Sequence, residues 1–222
     1  MAIISAQKLT KVYKASTFEV TALAGVDLSV KEGEMIAIMG PSGCGKTTLL
    51  NCLSSIDSVT SGTIQINNTE LSSMSDDDLS EFRAKSMGFI FQTYNLLPVL
   101  NAQENVELPL LVSGTPSSKA KRAAREALDL VGLIDWANHK PAELSGGQQQ
   151  RVTVARALVN KPAIVWADEP TGNLDSGTEK EIMDLLCRLN EENNQTFVVV
   201  THSDYVGGRT QKIIKMKDGL IL

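Results

Sequence analysis

The stretch Met35-Ile36-Ala37-Ile38-Met39-Gly40-Pro41-Ser42-Gly43-Cys44-Gly45-Lys46-Thr47-Thr48 decides the fold. Its first five residues form an unbroken apolar run, as expected of a strand buried on both faces, and Thr47 to Ile56 reads as the helix that follows. Between them, Gly40 to Thr47 satisfies GxxxxGK[ST] in the strand-to-helix context that gives the pattern its meaning. The glycines let backbone amides turn toward phosphate oxygens without a Cβ clash, and the helix start adds unpaired N–H groups and positive potential. Lys46 is expected to contact the β- and γ-phosphates, and Thr47 to offer its hydroxyl to a magnesium ion. Thr48 completes the set of loop residues assigned to the nucleotide. At this point the pattern leaves open which class of NTPase or kinase is present.

Around this stretch the chain reads as alternating strands and helices. The first 35 or so residues alternate apolar and polar positions through Val12, Tyr13, Val20, Leu23, Val26, Leu28 and Val30, as half-buried antiparallel strands do. Lys31 to Glu34 marks a turn. Further strands are expected at Gly62–Ile66, Gly88–Phe91, Ala163–Ala167 and the β-branched Thr196–Val200. The acidic run Asp76 to Asp78 suits a helix N-terminus, and Ile182, Leu185, Leu186 and Leu189 form the core stripe of a late helix. From about 93 to 160 the pattern is mainly helical, with Ala124, Ala127, Leu128 and Val131 spaced by turns. The predicted fold is α/β: a single domain over 1–222 with a mostly parallel sheet, an N-terminal antiparallel β-subdomain and an inserted helical subdomain at about 93–160.

Composition sets the outer limits. The chain has 222 residues, 42% hydrophobic and 21% charged, ample for a packed core and without a disordered bias. A formal net charge of -5 gives no basic stripe for a nucleic-acid backbone, so no nucleic-acid partner is expected. The cluster Lys119, Lys121, Arg122 and Arg125 reads as a solvated helix face. Three cysteines, Cys44, Cys52 and Cys187, show no metal spacing and suit a reducing compartment. Met1 to Gln7 lack the pattern of a secretory leader, and the longest apolar runs fall short of a membrane span. A membrane role is therefore expected only through a partner.

Two further motifs carry chemistry. The apolar run Ala163 to Ala167 ends in the adjacent carboxylates Asp168 and Glu169. Asp168 can hold magnesium through water, while Glu169 can orient and deprotonate an attacking water. The second motif is Leu144-Ser145-Gly146-Gly147-Gln148, set ahead of a helix containing Arg151 and Arg156. A hydroxyl, two glycines and free amides at a positive helix end make it a second phosphate-directed start. It has no lysine or magnesium-ligand pair of its own, which suggests that it completes a nucleotide site of another copy.

Leu144 to Gln148, placed shortly before the strand that ends in Asp168 and Glu169, resembles the signature of ABC ATPases over essentially the whole chain. The resemblance implies an ATP- and magnesium-dependent ATPase in which Tyr13 stacks on adenine, Gln92 links the magnesium site to a permease, Asp175 communicates between subunits and His202 contacts the γ-phosphate. It also implies a head-to-tail homodimer in which each phosphate loop faces the partner's Ser145-Gly146-Gly147, and a separate integral-membrane permease docked near Gln92 to Pro109. The location implied is cytoplasmic, on the inner face of the membrane. Soluble DNA-repair or chromosome ATPases share this head but carry a long coiled coil where this chain has a compact insertion; a nucleotide-sensing regulator would not need Asp168, Glu169 and His202 together.

Gly88-Phe89-Ile90-Phe91-Gln92, Asn95-Leu96-Leu97-Pro98, Glu104 to Pro109 and Ala167 to Asp175 are similar to the MacB/LolD/FtsE group, whose permeases export or extract lipoproteins, peptides, antibiotics and toxins or transmit force. Leu53-Ser54-Ser55-Ile56-Asp57 departs from the glycine-containing form usual there and leans toward the bacitracin-exporter type. Cys44 stands where Ser is common; a thiolate beside Lys46 and a helix start is favoured, so oxidation sensitivity is one hypothesis and space-filling the other. Trp166 is bulkier than the usual aliphatic and reads as packing.

Overall fold

The computed structural model describes residues 2–15 and 18–222. Two long strands, β1 (Ala2–Ala15) and β2 (Phe18–Lys31), pair antiparallel, and β4 (Ser61–Ile66) and β5 (Thr69–Glu70) extend them into a four-stranded sheet ordered β2-β1-β4-β5. A second sheet holds β3 (Met35–Met39), β6 (Met87–Phe91), β7 (Ile164–Asp168), β8 (Thr196–Thr201), β9 (Lys212–Lys217) and β10 (Leu220–Ile221) in the order β10-β9-β3-β8-β7-β6. All neighbours in it run parallel except the terminal β10–β9 hairpin. The mixed α/β architecture expected from the sequence is the one observed.

Strand alternation explains how one sheet serves two cores. In β7, Ile164 and Trp166 enter the core shared with β1, β2 and β4, while Val165 and Ala167 enter the core packed by helices. In β8, Val198 and Val200 take the first side, and Phe197 and Val199 the second. All eight are at most 1% exposed, which is why these strands read as unbroken apolar runs. Trp166 is fully buried in the first core, as a packing residue would be.

The helices on the second side are α3 (Ala102–Val112), α4 (Ser117–Leu130), α5 (Gly146–Leu158) and α6 (Ser176–Asn193); α1 (Lys46–Leu53) packs on the first side, and α2 (Asp76–Ser86) and α7 (Asp204–Gly208) complete the set. Helices α3 to α5 fall between β6 and β7. Their starts are locally encoded: Asn101 caps α3 with Glu104 in a capping box, and Ser75 caps α2 by accepting from Asp78 N. Buried Asn105 binds the Leu97 N–H and the Leu97 and Leu100 carbonyls, pinning the segment before α3. Gly88 lets β6 pass close under α5, since a Cβ there would sit 2.2 Å from the Ala157 carbonyl oxygen.

Helix α1 stops at Leu53 and not at the expected Ile56. Ser55 turns left-handed at φ 56°, and the Ile56 and Asp57 N–H groups both fold back to the Asn51 carbonyl. The C-terminal strands β9 and β10 and helix α7 were not anticipated from sequence, although Asp218-Gly219, both at positive φ, is a strong two-residue hairpin signal.

Candidate nucleotide site

The phosphate loop leaves the C-terminal end of β3 and enters α1 through Gly45 at φ 103°. Only glycine suits this position: the angle is left-handed, and a Cβ would lie 2.5 Å from the Ala22 carbonyl oxygen. The Lys46 ammonium bends over its own loop, donating to the Gly40 carbonyl at 2.8 Å and the Pro41 carbonyl at 2.9 Å. Cys44 is buried in the first core, withheld from solvent oxidants, so the structure supports space-filling for its side chain.

Parallel register brings the other motifs to the same edge. β8 lies between β3 and β7, so Asp168 ends beside Val200 and across from the loop. The Thr47 hydroxyl donates to Asp168 Oδ1 at 3.3 Å. Burial pushes the Asp168 carboxyl up; the Thr47 hydroxyl pulls it back, neighbouring Glu169 adds to the push and the Lys46 charge opposes it. A desolvated carboxylate beside a hydroxyl is a hard-oxygen donor set suited to magnesium. Among the described residues no group of three His, Cys, Asp or Glu could hold a metal ion.

Glu169 adopts φ 47°, a left-handed conformation that costs a non-glycine residue about 1–2 kcal/mol. Its N–H donates to the Val200 carbonyl at 2.9 Å, and its carboxylate oxygens meet His202 Nδ1 at 2.7 Å and the Thr201 hydroxyl at 3.2 Å. Strain at this point aims the carboxylate over the strand ends instead of along β7.

Gln92 follows β6, whose last residue Phe91 pairs with Asp168. Its carboxamide nitrogen donates to Asn173 Oδ1 at 3.2 Å, while Asn173 Nδ2 donates back to the Gln92 carbonyl at 2.9 Å. A Cβ on Gly172 would meet the Gln92 amide nitrogen at 2.8 Å, so that glycine is what admits the side chain. The partner Asn173 was not singled out from sequence; its contact depends on two loops meeting across adjacent strands.

Ser145 caps α5, accepting from Gln148 N at 3.3 Å, and Gln148 Oε1 accepts from Ser145 N at 2.9 Å. Gly146 and Gly147 allow close packing within the chain: Cβ atoms there would approach the Tyr94 hydroxyl at 3.0 Å and Thr178 Cγ2 at 2.5 Å. Arg156, farther along α5, donates to the Tyr94 and Asn95 carbonyls, tying this helix to the segment after Gln92. Asp175 caps α6, accepting from Gly177 N, Thr178 N and the Thr178 hydroxyl, bonds that hold its carboxyl below the usual range.

An open cleft of about 630 Å³ gathers Tyr13, Ser42, Gly43, Gly45 to Thr48 and Glu169. Val20, Thr21 and Ala22 of β2 and the Asp218-Gly219 turn also line it, additions that sequence reading missed. Gly219 N donates to the Cys44 carbonyl and its own carbonyl accepts from Ala24 N, so this turn braces the loop. Among the described residues, Ser145 to Gln148 are not part of the lining; they lie at the start of α5, on the helical side.

The ABC transporter family model matches residues 23–172. The lipoprotein-releasing system ATP-binding protein LolD of Pseudoalteromonas translucida is 48% identical over 98% of this chain and 94% of its own length. The macrolide export ATP-binding/permease protein MacB of Bdellovibrio bacteriovorus is 44% identical over 99% of this chain and 33% of its own. A dimeric structure of the cassette MJ0796 bound to ADP and Pi, a post-hydrolysis state, superposes with a TM-score of 0.90 at 45% identity, covering 98% of this chain and 96% of that one.

The chain belongs to the ABC transporter family. It is an ATP-binding cassette and an ATPase, and within the family it matches the MacB/LolD/FtsE-like group.

Proposed function

We propose that two copies of this chain close head-to-tail around two ATP molecules and, by opening and closing, drive a separate membrane permease. One observation carries the reading. The cleft of a single chain gathers Ser42, Gly43, Gly45 to Thr48 and Glu169, with Asp168 bonded to the Thr47 hydroxyl, yet its lining lacks the second phosphate-directed helix start at Ser145. A twofold pairing would supply that start from the partner to both sites at once, and the structural neighbours are dimeric cassettes.

In this reading Tyr13 stacks on the base, the Gly40–Thr48 backbone and Lys46 hold the phosphates, and Ser145, Gly146, Gly147 and Gln148 of the opposite copy close over the γ-phosphate. Thr47, Asp168 and Gln92 would hold Mg²⁺, which when bound neutralises charge on the β- and γ-phosphates. Glu169 takes the proton of the water whose oxygen attacks the γ-phosphorus; the bond to the β-phosphate oxygen breaks, leaving ADP and phosphate. His202 orients Glu169 and contacts the γ-phosphate, and Asp175 lies at the seam between copies. No helix of the described residues is long and apolar enough to cross a membrane. The inserted segment at about 93–160, with Gln92 to Pro109 at its edge, is where the permease docks, on the cytoplasmic face. The cargo class follows the resembling group: lipoproteins, peptides, antibiotics or similar molecules.

Glu169→Gln tests the reading. It should bind ATP, lose nearly all hydrolysis and run as an ATP-dependent dimer by size exclusion with light scattering. Pairing a cysteine at Ser145 with one at Ser42 should give ATP-dependent crosslinks between copies; crosslinks that form only within one chain would refute the arrangement. Lys46→Ala should lose nucleotide affinity.

A further inference from the structure

We propose that Asp57 is a positioning residue for the nucleotide base, locking the Tyr13 ring into a one-sided platform whose open face takes a purine. The inference rests on the reading of Tyr13 as the base-stacking residue and adds what holds that ring in place.

Tyr13 is 43% exposed, so packing alone does not hold its ring. Two direct contacts fix it, and the bonds of Lys11 brace both. Its hydroxyl donates to Asp57 Oδ2 at 2.7 Å; Lys11, two residues back on β1, donates to Asp57 Oδ1 and to the Ser58 carbonyl, both at 2.6 Å; and the Lys11 ammonium stands over the Tyr13 ring, 4.9 Å from its centroid. The ammonium covers one face of the ring, and Lys11 as a residue is 7% exposed. A base entering the cleft therefore meets the opposite face.

The Asp57 carboxyl also connects this platform to the phosphate loop. It lies just beyond α1, the eight-residue helix that begins at Lys46, and its N–H is anchored to Asn51 at 3.1 Å. Eight residues at 1.5 Å each make a rod of about 12 Å, so one helix sets the spacing between base platform and phosphate cradle. The charge pattern agrees: burial alone would raise the Asp57 carboxyl, but the bonds from Lys11 and Tyr13 outweigh it and hold it below the usual range. The bond to Asp57 likewise pushes the Tyr13 phenol up.

A preset ring spares ATP the loss of side-chain freedom on binding, worth about two- to tenfold in affinity. The test compares ATP with inorganic tripolyphosphate, which has no base, by calorimetric titration of the full chain. Tyr13→Leu should weaken ATP by about tenfold or more and leave tripolyphosphate unchanged. Tyr13→Phe, which keeps the ring and removes only the hydroxyl, should weaken ATP about two- to tenfold with tripolyphosphate unchanged. Asp57→Ala should match it, and the double variant should be no worse than the weaker single one. If Tyr13→Leu binds ATP like the parent, the stacking reading fails and the proposal with it. If Tyr13→Leu is impaired but Tyr13→Phe is not, the stacking reading stands and the role of Asp57 is overturned. Equal weakening of tripolyphosphate and ATP also overturns it, because Asp57 would then act through α1 on the phosphate loop.

Discussion

His202 Nδ1 lies 2.7 Å from Glu169 Oε1, although 33 residues separate them in the chain. The contact exists because β7 and β8 are adjacent and parallel, so both residues leave the sheet at the same edge. His202→Ala should cut kcat by about 100-fold or more, the usual scale for losing an acid–base partner, with a smaller change in KM. Steady-state ATPase assays check this; a parent-like kcat would separate His202 from the chemistry.

Asp168 gives an opposite sign for stability and function. A carboxyl raised by burial in the folded state favours its protonated form, so ionisation lowers stability as pH rises from the unfolded value toward the folded one. Asp168→Asn should therefore raise the melting temperature of the nucleotide-free chain, by about 2–4 °C for each kcal/mol recovered. The same variant should lose the added stabilisation that magnesium gives in the presence of ATP. Thermal melts with ATP in EDTA and in magnesium show both effects.

The Lys11–Asp57 pair should stabilise the fold over a broad plateau of pH. Asp57 is depressed in the folded state, so its contribution is present above the unfolded value of about 3.9 and disappears as pH falls through the folded value. Lys11 is raised by the Asp57 hydrogen bond and charge against the opposing effect of burial. Its contribution is present below about 10.4 and lost as pH rises through the folded value. Asp57→Asn should thus be less stable than the parent by a steady margin between about pH 5 and 9. With the Asp57 side chain 30% exposed, that margin should be on the order of 1 kcal/mol. Urea unfolding at several pH values should show the gap closing in acid below about pH 4 and again in alkali as Lys11 loses its proton.

Gly88→Ala should be disproportionately harmful for a single methyl group. The new Cβ would overlap the Ala157 backbone carbonyl, which cannot rotate away, so α5 must shift off β6. Overpacking of this kind costs about 1–3 kcal/mol, or about 2 to 12 °C in melting temperature for a chain of this size. Because Ser145 caps α5, ATP-dependent dimer formation should weaken as well. A melt within a degree of the parent would show that the helix accommodates the methyl group.

The phosphate loop, the Asp168-Glu169 pair and the Ser145–Gln148 helix start were all legible because each is a local pattern whose chemistry needs neighbouring residues in a row. Asn173 against Gln92 and Asp57 at the Tyr13 hydroxyl were not, since these pairs lie 81 and 44 positions apart and no periodicity marks the loop residues Asn173 and Asp57. Asp175 shows the intermediate case: its place in the chain was evident, while its bonds to Gly177 and Thr178, which make it the cap of α6, came only with the structure.

Residue order alone therefore determined the kind of chemistry and the alternation of strands and helices, because burial periodicity and glycine-dependent turns are properties of short stretches. Which groups meet was decided by the parallel order β3-β8-β7-β6, which carries four separate strand ends to one edge. Hydrogen bonding across that sheet sets distances of a few ångströms between residues that are remote along the chain, and such distances have no imprint in local composition.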